Sequence, residues 1–304
     1  MLYIRQEKFI GKEAQKKLSE KTVSIVGLGA LGSVSSELLA RAGVKNLILF
    51  DRDLIELNNL QRQSLYAEED VGKSKALVAE NKLKKINSDL EINSYFDNLD
   101  SENINLIKSD LILDCTDNLE TRFLINEFSV KNKFPFIHAS AIGAEGFLFN
   151  IIPGKTCFNC IFKEIQGLET CETFGVLNST THLISSLQVN EALKILLNND
   201  YEKDLLYVNL KNNEIAKIKV NKNPECQVCS KKIFDYLEGK KSKEIVKFCG
   251  SSNYLIKGNF NFENISKRLK QENILNITLF KNKALIKAKD EKEAKSLFSK
   301  YIGD

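Results

Sequence analysis

The chain has 304 residues, a hydrophobic content of 43% and a formal net charge of +4. This length and composition predict a sizeable core, arranged as a main domain with a smaller second one. The small net charge argues against nucleic acid as the main partner. The first residues include charges, and no uncharged apolar stretch approaches the ~18 residues of a membrane span, so we expect a cytoplasmic protein without a signal peptide or membrane contact.

The first predicted elements lead into a buried strand. Residues 1–20 are predicted to form a short extended lead and then a lysine-rich helix over Gly11–Glu20. The next run, Thr22–Val26, is apolar and rich in β-branched residues, which is typical of a buried parallel strand. This strand ends directly at a glycine-rich segment.

The glycine-rich segment has the spacing Gly-x-Gly-x-x-Gly between a predicted strand and a predicted helix, the context in which this motif binds nucleotides. Gly27 permits a tight turn, Gly29 lets backbone N–H groups approach a phosphate, and Gly32 lets the helix pack close to the strand. The helix is predicted over Ala30–Ala42, with Gly43 as a left-handed C-cap.

The second strand, Asn46–Phe50, ends at Asp51, 24 positions after Gly27. An acidic residue at about this separation meets a ribose hydroxyl of a bound nucleotide. The simplest interpretation is an oxidoreductase that binds NAD or FAD. The following segment, Asp53–Gln63, argues against it, because amides and Arg62 stand where a dinucleotide enzyme would begin its next helix. We expect this segment to place donors over the phosphates of the nucleotide.

The carboxyl end of a later strand supplies a second part of the site. Strand Asp110–Asp114 runs into Cys115-Thr116-Asp117-Asn118, and open α/β sheets bind ligands at this end of their strands. Asp117 is therefore predicted to hold the magnesium ion of a bound nucleotide, to cap the helix Asn118–Asn132, or to do both. The intervening predictions are a helix over Gly72–Ile86, a strand over Glu91–Tyr95 and a short helix around Ser101–Leu106.

Two Cys-x-x-Cys pairs, Cys157/Cys160 and Cys226/Cys229, bracket a predicted helix and two predicted strands. In a reducing compartment such pairs indicate metal ligation before disulfides. Closing the intervening subdomain would bring four thiolates into a closed, tetrahedral zinc site with a structural role. The alternative, a redox dithiol, would need only one pair. The bracketed elements are Thr180–Asn198, Leu205–Leu210 and Ile215–Val220.

The two histidines of the chain lie in different predicted elements. His138 falls in the strand Phe136–Ser140, which precedes another strand over Gly146–Ile152, and His182 falls in the later helix. Neither has an evident serine or aspartate partner in the sequence. Both are predicted to be structural rather than catalytic bases.

The C-terminal region is predicted to form a separate small unit. Residues 231–243 are lysine-rich and are interpreted as a linker, and residues 244–304 as an α+β domain of unknown role. Strands and helices alternate in this domain with the periodicities expected of each. The predicted strands are Ile245–Lys257, Ile277–Phe280 and Ala284–Ala288, and the predicted helices are Glu263–Gln271 and Glu291–Tyr301.

Four motifs together resemble those of the ThiF/MoeB/HesA family of E1-like enzymes, and the similarity extends over about residues 1–230. The resemblance implies an α/β fold: a Rossmann-like doubly wound sheet of mostly parallel strands, an antiparallel extension and a four-cysteine zinc site, here followed by the small C-terminal unit. The motifs are Gly27-Leu28-Gly29-Ala30-Leu31-Gly32, Asp51-x-Asp53, Asn59-Leu60-Gln61-Arg62-Gln63 and Asp114-Cys115-Thr116-Asp117-Asn118.

The resemblance also implies an activity and its residues. Family members use ATP to adenylate the C-terminal glycine of ubiquitin-like sulfur carriers, and Arg62, Lys75 and Asp117 match their catalytic positions. Arg5 matches an arginine that reaches the nucleotide of the neighbouring subunit, which implies a homodimer. Cys171 lies in a segment similar to the family's crossover loop, whose cysteine bonds covalently to the carrier in some members. The implied nucleotide-binding set is Gly27, Gly29, Gly32, Asp51, Asp53, Asn59, Arg62, Gln63, Lys75, Asp117 and Asn118.

The expected partners are a ThiS- or MoaD-like carrier ending in Gly-Gly and a sulfur donor, either a cysteine desulfurase or a rhodanese. The thiocarboxylate so prepared would serve thiamin, molybdopterin or tRNA-thiolation pathways, and the C-terminal unit favours the ThiF-like branch. Asn178 departs from the glycine usual at its position in the family. Three alternatives stay open: an oxidoreductase, a non-catalytic binding module for ubiquitin-like proteins, and adenylation of a tRNA base.

Overall fold

The chain divides into two compact units, Met1–Lys241 and Ser242–Asp304, each of which is described by itself. Helices, strands and contacts are taken from a computed structural model. The residues that it describes are 2–162, 174–241, 245–247, 252–258, 260–280 and 283–302.

An eight-stranded sheet lies at the centre of the first unit, in the order β3-β2-β1-β4-β5-β6-β7-β8. The strands from β3 to β5 in this order pair in parallel, and β6, β7 and β8 add to β5 in antiparallel pairs. The predicted Rossmann-like sheet with an antiparallel extension is confirmed. The strands are β1 (Thr22–Val26), β2 (Asn46–Phe50), β3 (Glu91–Tyr95), β4 (Leu111–Asp114), β5 (Phe136–Ile142), β6 (Glu145–Ile151), β7 (Leu205–Asn209) and β8 (Glu214–Ile218).

Helices cover both faces of this sheet because its central strands are apolar on both faces. In β4, for example, Leu111 and Leu113 join one core with α3, α4 and α7, while Ile112 joins the opposite core with α5 and α6. The helices of this unit are α1 (Ile4–Ile10), α2 (Lys12–Ser19), α3 (Gly32–Ala42), α4 (Lys75–Ile86), α5 (Leu119–Asn132), α6 (Phe158–Ile161) and α7 (Asn178–Leu196).

The N-terminal segment is helical, so the prediction of an extended lead is wrong. Helices α1 and α2 are separated only by Gly11, whose φ of +88° suits glycine. The side chains of Gln6 and Gln15 both donate to the carbonyl oxygen of Ala42, at 2.7 and 2.9 Å. These bonds satisfy the C-terminal end of α3 and fix both helices against it. They join distant parts of the chain, which local sequence patterns do not reveal.

Three other predicted helices start or extend differently. The helix after the glycine turn begins at Gly32, and α4 begins at Lys75 because the Ser74 hydroxyl accepts a hydrogen bond from the Leu77 N–H at 3.4 Å. The short helix expected around Ser101–Leu106 is a single 3₁₀ turn over Ile104–Leu106.

The described part of the expected linker, residues 231–241, belongs to the first unit and packs on α5. The Tyr236 ring stacks on Phe123 with centroids 5.4 Å apart, and the Leu237 N–H donates to the Glu127 carboxylate at 2.8 Å. Glu127 itself is buried in α5. Aromatic contacts and a buried acceptor therefore order a stretch whose lysine content suggested a solvated connection.

The second unit is a four-stranded antiparallel sheet with two helices. Its strand order is β11-β12-β10-β9, and the predicted single strand Ile245–Lys257 is corrected to the antiparallel pair β9 and β10. Tyr254, Ile256 and Ile286 pack with Leu269 and Ala294 of the helices in a separate core. The elements are β9 (Ile245–Lys247), β10 (Asn253–Lys257), α8 (Phe262–Gln271), β11 (Ile277–Phe280), β12 (Lys283–Lys287) and α9 (Glu291–Tyr301).

Among the described residues of both units, no helix combines the length and the apolar character that crossing a membrane requires. The longest, α7, has 19 residues and carries Glu191 and Lys194. This finding agrees with the absence of an apolar run in the sequence.

The burial of Glu127 predicts a pH-dependent stability. Burial raises the pKa of Glu127 from 4.5 to about 7. The folded protein therefore binds this proton more tightly than the unfolded chain, and its free energy of unfolding falls as pH rises from about 4.5 to about 7. Glu127→Gln removes the titration, so between pH 5 and pH 8 the variant should gain up to about 3 kcal/mol relative to the wild type.

Thermal unfolding of both proteins across this range measures the difference. The exposed Glu69→Gln is the matched control and should follow the wild type at every pH. A constant difference between Glu127→Gln and the wild type would contradict the assignment.

Candidate active site

The turn after β1 has no room for a side chain at two of its glycines. Gly27 has a φ of +86°, and a Cβ there would lie 2.8 Å from the carbonyl oxygen of Cys115. A Cβ at Gly32 would lie 1.8 Å from the carbonyl oxygen of Gly27. The start of α3 thus lies directly against the ends of β1 and β4, as the glycine spacing predicts.

The third glycine, Gly29, faces open space. A Cβ at this position would meet only the side-chain nitrogen of Gln63, at 3.8 Å. No described residue accepts a hydrogen bond from the N–H groups of Gly29, Ala30 or Leu31. Because these donors stand at the N-terminus of α3, where the helix dipole attracts negative charge, the turn can bind a phosphate.

Asp51, which follows β2, forms a hydrogen bond to the backbone of the glycine turn. Its carboxylate accepts the Leu28 N–H at 2.6 Å and the Asp53 N–H at 2.7 Å. Burial raises the pKa of Asp51 to about 6, although the nearby charge of Lys75 acts in the opposite direction. Asp51 therefore shapes the site as well as offering oxygens to a ligand, and its contact with a ribose hydroxyl stays a prediction.

Lys75, the first residue of α4, is the buried cation of the site. It is 6% exposed, and its Nζ lies 3.1 Å from Oδ2 of Asp53. Burial acts to lower the pKa of Lys75, but the charges of Asp53, Asp51 and Asp117 raise it by a larger amount. The net shift is upward, and the ammonium stays charged. The structure thus brings Lys75 and Asp117 within electrostatic reach of each other, as the resemblance implied.

The polar segment between β2 and α4 is tied to the glycine turn by Tyr66, whose hydroxyl donates to the Leu28 carbonyl oxygen at 2.9 Å. Arg62 Nη1 donates to the Asn58 carbonyl oxygen at 3.0 Å. The Asn59 side chain accepts the Glu56 N–H at 3.2 Å. Asn59 therefore acts on the conformation of its own segment.

Asp117 follows β4 and is exposed. The side chain of the next residue, Asn118, accepts the Thr121 N–H at 2.9 Å and forms the N-cap of α5. The alternative in which Asp117 caps this helix is therefore wrong. Since capping is done by Asn118, the Asp117 carboxylate is available for a ligand.

A buried network below this loop was missed by sequence reasoning. Oδ2 of Asp114 lies 2.7 Å from Nδ1 of His138, which corrects the expectation that His138 has no acidic partner. Burial acts to raise the pKa of Asp114, but the hydrogen bond and charge of His138, the charge of Arg122 and the hydrogen bond from Thr116 lower it overall. Burial lowers the pKa of His138. The ionised Asp114 carboxylate thus accepts a hydrogen bond from the neutral imidazole of His138. The signal in the sequence that could have revealed this pair is a predicted strand that ends in a carboxylate, followed by a predicted strand that contains a histidine.

Two buried polar atoms of the site lack hydrogen-bond partners among the described residues. They are Oδ1 of Asp53 and Oε1 of Gln63. Buried polar atoms almost always have a hydrogen-bond partner, so these two indicate that a ligand completes the site. With the unpaired N–H groups at Gly29 and the cation of Lys75, the donor set fits a polyphosphate bearing a ribose.

The four cysteines of the two pairs converge. Their Sγ atoms all lie within 4.8 Å of one another, with separations of 3.8 Å for Cys157–Cys160, 3.6 Å for Cys157–Cys226 and 3.4 Å for Cys160–Cys229. A tetrahedral metal with metal–sulfur distances of about 2.3 Å needs sulfurs about 3.8 Å apart. All four thiols are free of disulfides, so the cluster could hold a metal, and its joining of both pairs disfavours a redox dithiol.

The remaining predicted residues lie elsewhere. Arg5 is exposed on α1, away from any contact among the described residues that would place it in this subunit's site. Nδ1 of His182 lies at hydrogen-bond distance, 2.8 Å, from the Asn178 carbonyl oxygen within α7, in keeping with a structural role. Cys171 falls outside the described residues, which stop at 162 and resume at 174.

Comparison with known proteins agrees with this geometry. The ThiS adenylyltransferase of Bacillus subtilis (strain 168) is 34% identical over 99% of both chains. The SAMP-activating enzyme E1 of Haloferax volcanii is 31% identical over 75% of this chain and 87% of its own. The crystal structure of Escherichia coli MccB with ATP is 25% identical, with a TM-score of 0.64 over 71% of this chain and 68% of that one.

The family relationship follows from the extent of these matches. The profile of the ThiF family matches residues 3–228, which include the glycine turn, the loop of Asp117 and both cysteine pairs apart from Cys229. The Bacillus relative extends the similarity through the second unit. The chain therefore belongs to the ThiF family.

Proposed function

We propose that this protein uses ATP to adenylate the C-terminal glycine carboxylate of a ubiquitin-like sulfur-carrier protein of the ThiS or MoaD kind. The full-length similarity to a ThiS adenylyltransferase supports this activity. The observation that carries it is the set of N–H groups at Gly29, Ala30 and Leu31 that no described residue accepts, together with the buried ammonium of Lys75, whose charge acts on Asp51 under the same turn. These N–H groups and this ammonium can donate hydrogen bonds to the negatively charged oxygens of a triphosphate.

The reaction must bring two anions together, since the carrier's carboxylate attacks the α-phosphorus of ATP and pyrophosphate leaves. Lys75, Arg62 and the glycine-turn N–H groups would neutralise the charge that develops on the phosphates. A terminal carboxylate is ionised at neutral pH, so it needs no general base. This agrees with a site in which His138 is committed to Asp114 and His182 to a backbone carbonyl.

Asp117 is proposed to hold the divalent metal of the nucleotide. Its carboxylate is exposed at the carboxyl end of β4 and is spared from helix capping by Asn118. A magnesium ion bound there would offset phosphate charge and orient the triphosphate.

The cysteine cluster is proposed to hold zinc in a structural role. Its four sulfurs occupy all the positions of a tetrahedral site, which leaves none for a substrate. Three of the ligands are buried, and Cys160 is half-buried. The site would join the turn after β6 to the segment after β8.

Several partners belong to this proposal. Arg5 would reach the nucleotide of a second subunit, so the active form would be a homodimer. Cys171 would lie near the carrier's tail, and a cysteine desulfurase or rhodanese would supply sulfur for the thiocarboxylate. A cytoplasmic location would keep the cluster thiols reduced.

Carrier-dependent exchange of labelled pyrophosphate into ATP tests the activity. Exchange should occur with a carrier that ends in Gly-Gly, and Arg62→Ala, Lys75→Ala and Asp117→Ala should each lower its rate by about 10²–10³. Lys84→Ala is the matched control on α4, because this lysine is exposed and pairs with Glu80 on the helix surface. Unaltered exchange in the Asp117 variant would remove the metal assignment.

The same assay separates the rival functions. A non-catalytic binding module would show no exchange, and a tRNA-modifying enzyme would require tRNA in place of the carrier. An oxidoreductase would bind NAD or FAD in place of ATP.

The glycine turn gives a second test. Gly29→Ala meets no obstacle in the free protein, so it should fold normally and weaken ATP binding at least about tenfold by filling the phosphate's path. Gly32→Ala would press on the Gly27 carbonyl and should lower the free energy of unfolding by about 3 kcal/mol. Calorimetric ATP titration and denaturant unfolding measure both. Equal effects of the two variants on stability would contradict these separate roles.

Metal analysis tests the cysteine cluster. One zinc per chain is expected, and Cys160→Ser should release it and lower Tm by about 10 °C. Ser230→Ala, beside Cys229 but without a ligand role, is the control and should keep its zinc. A metal-free wild type of full stability would contradict a structural zinc.

A further inference from the structure

A buried polar cluster brackets the loop that carries Asp117. We name it the Asp114 bracket and define it as Asp114, Thr116, Arg122 and His138. Its members come from three elements and the loop between them: the end of β4, the loop, the first turn of α5, and β5. None of the four belongs to the residues that the proposed function places on ATP, so the bracket needs a separate explanation.

Asp114 is the centre of the bracket. It is completely buried, and one carboxylate oxygen accepts both the Thr116 N–H at 3.0 Å and the Thr116 hydroxyl at 2.7 Å. The other oxygen accepts from His138 at 2.7 Å. Because both oxygens are occupied by the protein, Asp114 is not itself a ligand for a metal. Its hydrogen bonds instead bend the chain immediately before Asp117.

Arg122 closes the bracket from α5. Its Nη2 donates to the carbonyl oxygen of Thr116, and its Nε lies 3.7 Å from Asp114 Oδ2, an ion-pair distance. Thr116 is therefore fixed at its N–H, its hydroxyl and its carbonyl oxygen. The next peptide group leads to Asp117, whose direction is set by these three contacts and by the Asn118 cap.

Gln188 of α7 fixes the same strand end from the other face of the sheet. Its Nε2 donates to the Asp114 and Ile137 carbonyl oxygens, both at 3.1 Å, and its Oε1 accepts the Ser35 hydroxyl at 2.9 Å. Ser35 lies in α3, just after the glycine turn. The strand end is thus held in a fixed relation to the helix whose N-terminus would bind the phosphates.

We propose that Asp114, Thr116 and Arg122 are positioning residues that aim the Asp117 carboxylate at the divalent metal of the nucleotide. The inference rests on the proposed function, since it assumes that Asp117 binds this metal. Magnesium needs near-ideal geometry at 2.0–2.1 Å, so a small displacement of one carboxylate weakens its binding. Partners that orient a metal ligand typically change metal affinity by about 10–100-fold when removed.

Matched substitutions at Thr116 isolate the hydroxyl contact. Thr116→Val keeps the shape and loses the hydrogen bond to Asp114, whereas Thr116→Ser keeps the bond. The valine variant should raise the Mg²⁺ concentration for half-maximal pyrophosphate exchange about tenfold, and the serine variant should restore it. Asp114→Asn should raise it at least as much, because an amide presents donors to the donors of Thr116. Arg41→Lys, an exposed arginine on α3, is the surface control.

A binding measurement separates this inference from the activity. Electron paramagnetic resonance can follow Mn²⁺ binding to the full-length protein with a non-hydrolysable ATP analogue. Thr116→Val should weaken Mn²⁺ binding about tenfold while the protein stays folded, even if every carrier tried fails to support exchange. Mn²⁺ and Mg²⁺ affinities equal to the wild type in folded Thr116→Val and Asp114→Asn would overturn the proposal. Mn²⁺ binding that Asp117→Ala does not weaken would overturn it as well, because the carboxylate being aimed would then be the wrong one.

Discussion

The site depends on the close approach of two backbones, the glycine turn after β1 and the end of β4. A side chain at Gly27 would strike the Cys115 carbonyl, and one at Gly32 would strike the Gly27 carbonyl. This contact puts the N-terminus of α3 beside the loop of Asp117. Parallel pairing of β1 with β4 supports it, since Val26 lies opposite Asp114 at the strand ends. The helix end that is proposed to bind phosphate and the carboxylate that is proposed to hold the metal thereby lie in one site.

The buried charges of Lys75 and Asp114 are each paired or hydrogen-bonded within the protein. Lys75 is buried but pairs with Asp53, and Asp114 is buried but accepts hydrogen bonds from two side chains. A buried charge is tolerated only when it is paired or hydrogen-bonded. The polyphosphate would add negative charge beside Asp51 and Asp53, which explains why a metal and further cations such as Arg62 are expected.

Sequence reasoning reached the parallel sheet because its strands are short, apolar and separated by strong turn signals. The resemblance to the family indicated Lys75, the position after a parallel strand indicated Asp117, and the two Cys-x-x-Cys pairs predicted the cluster in which their sulfurs meet. What it missed depends on contacts between distant residues. The helix at residues 4–10 is fixed through Ala42, and the partner of His138 lies on a neighbouring strand. The sequence offered two adjacent residues, Asp117 and Asn118, as the cap of α5. Only the backbone geometry shows that Asn118 is the cap.

One pocket of this protein is proposed to join the end of a polypeptide to the α-phosphate of ATP. Intact-mass spectrometry of a carrier ending in Gly-Gly, incubated with the enzyme, ATP and Mg²⁺ in the absence of a sulfur donor, tests it most directly. The carrier should gain one AMP at its terminal glycine, and hydroxylamine should release it again, as expected for an acyl adenylate. An unmodified carrier in the presence of folded, ATP-bound enzyme would contradict it.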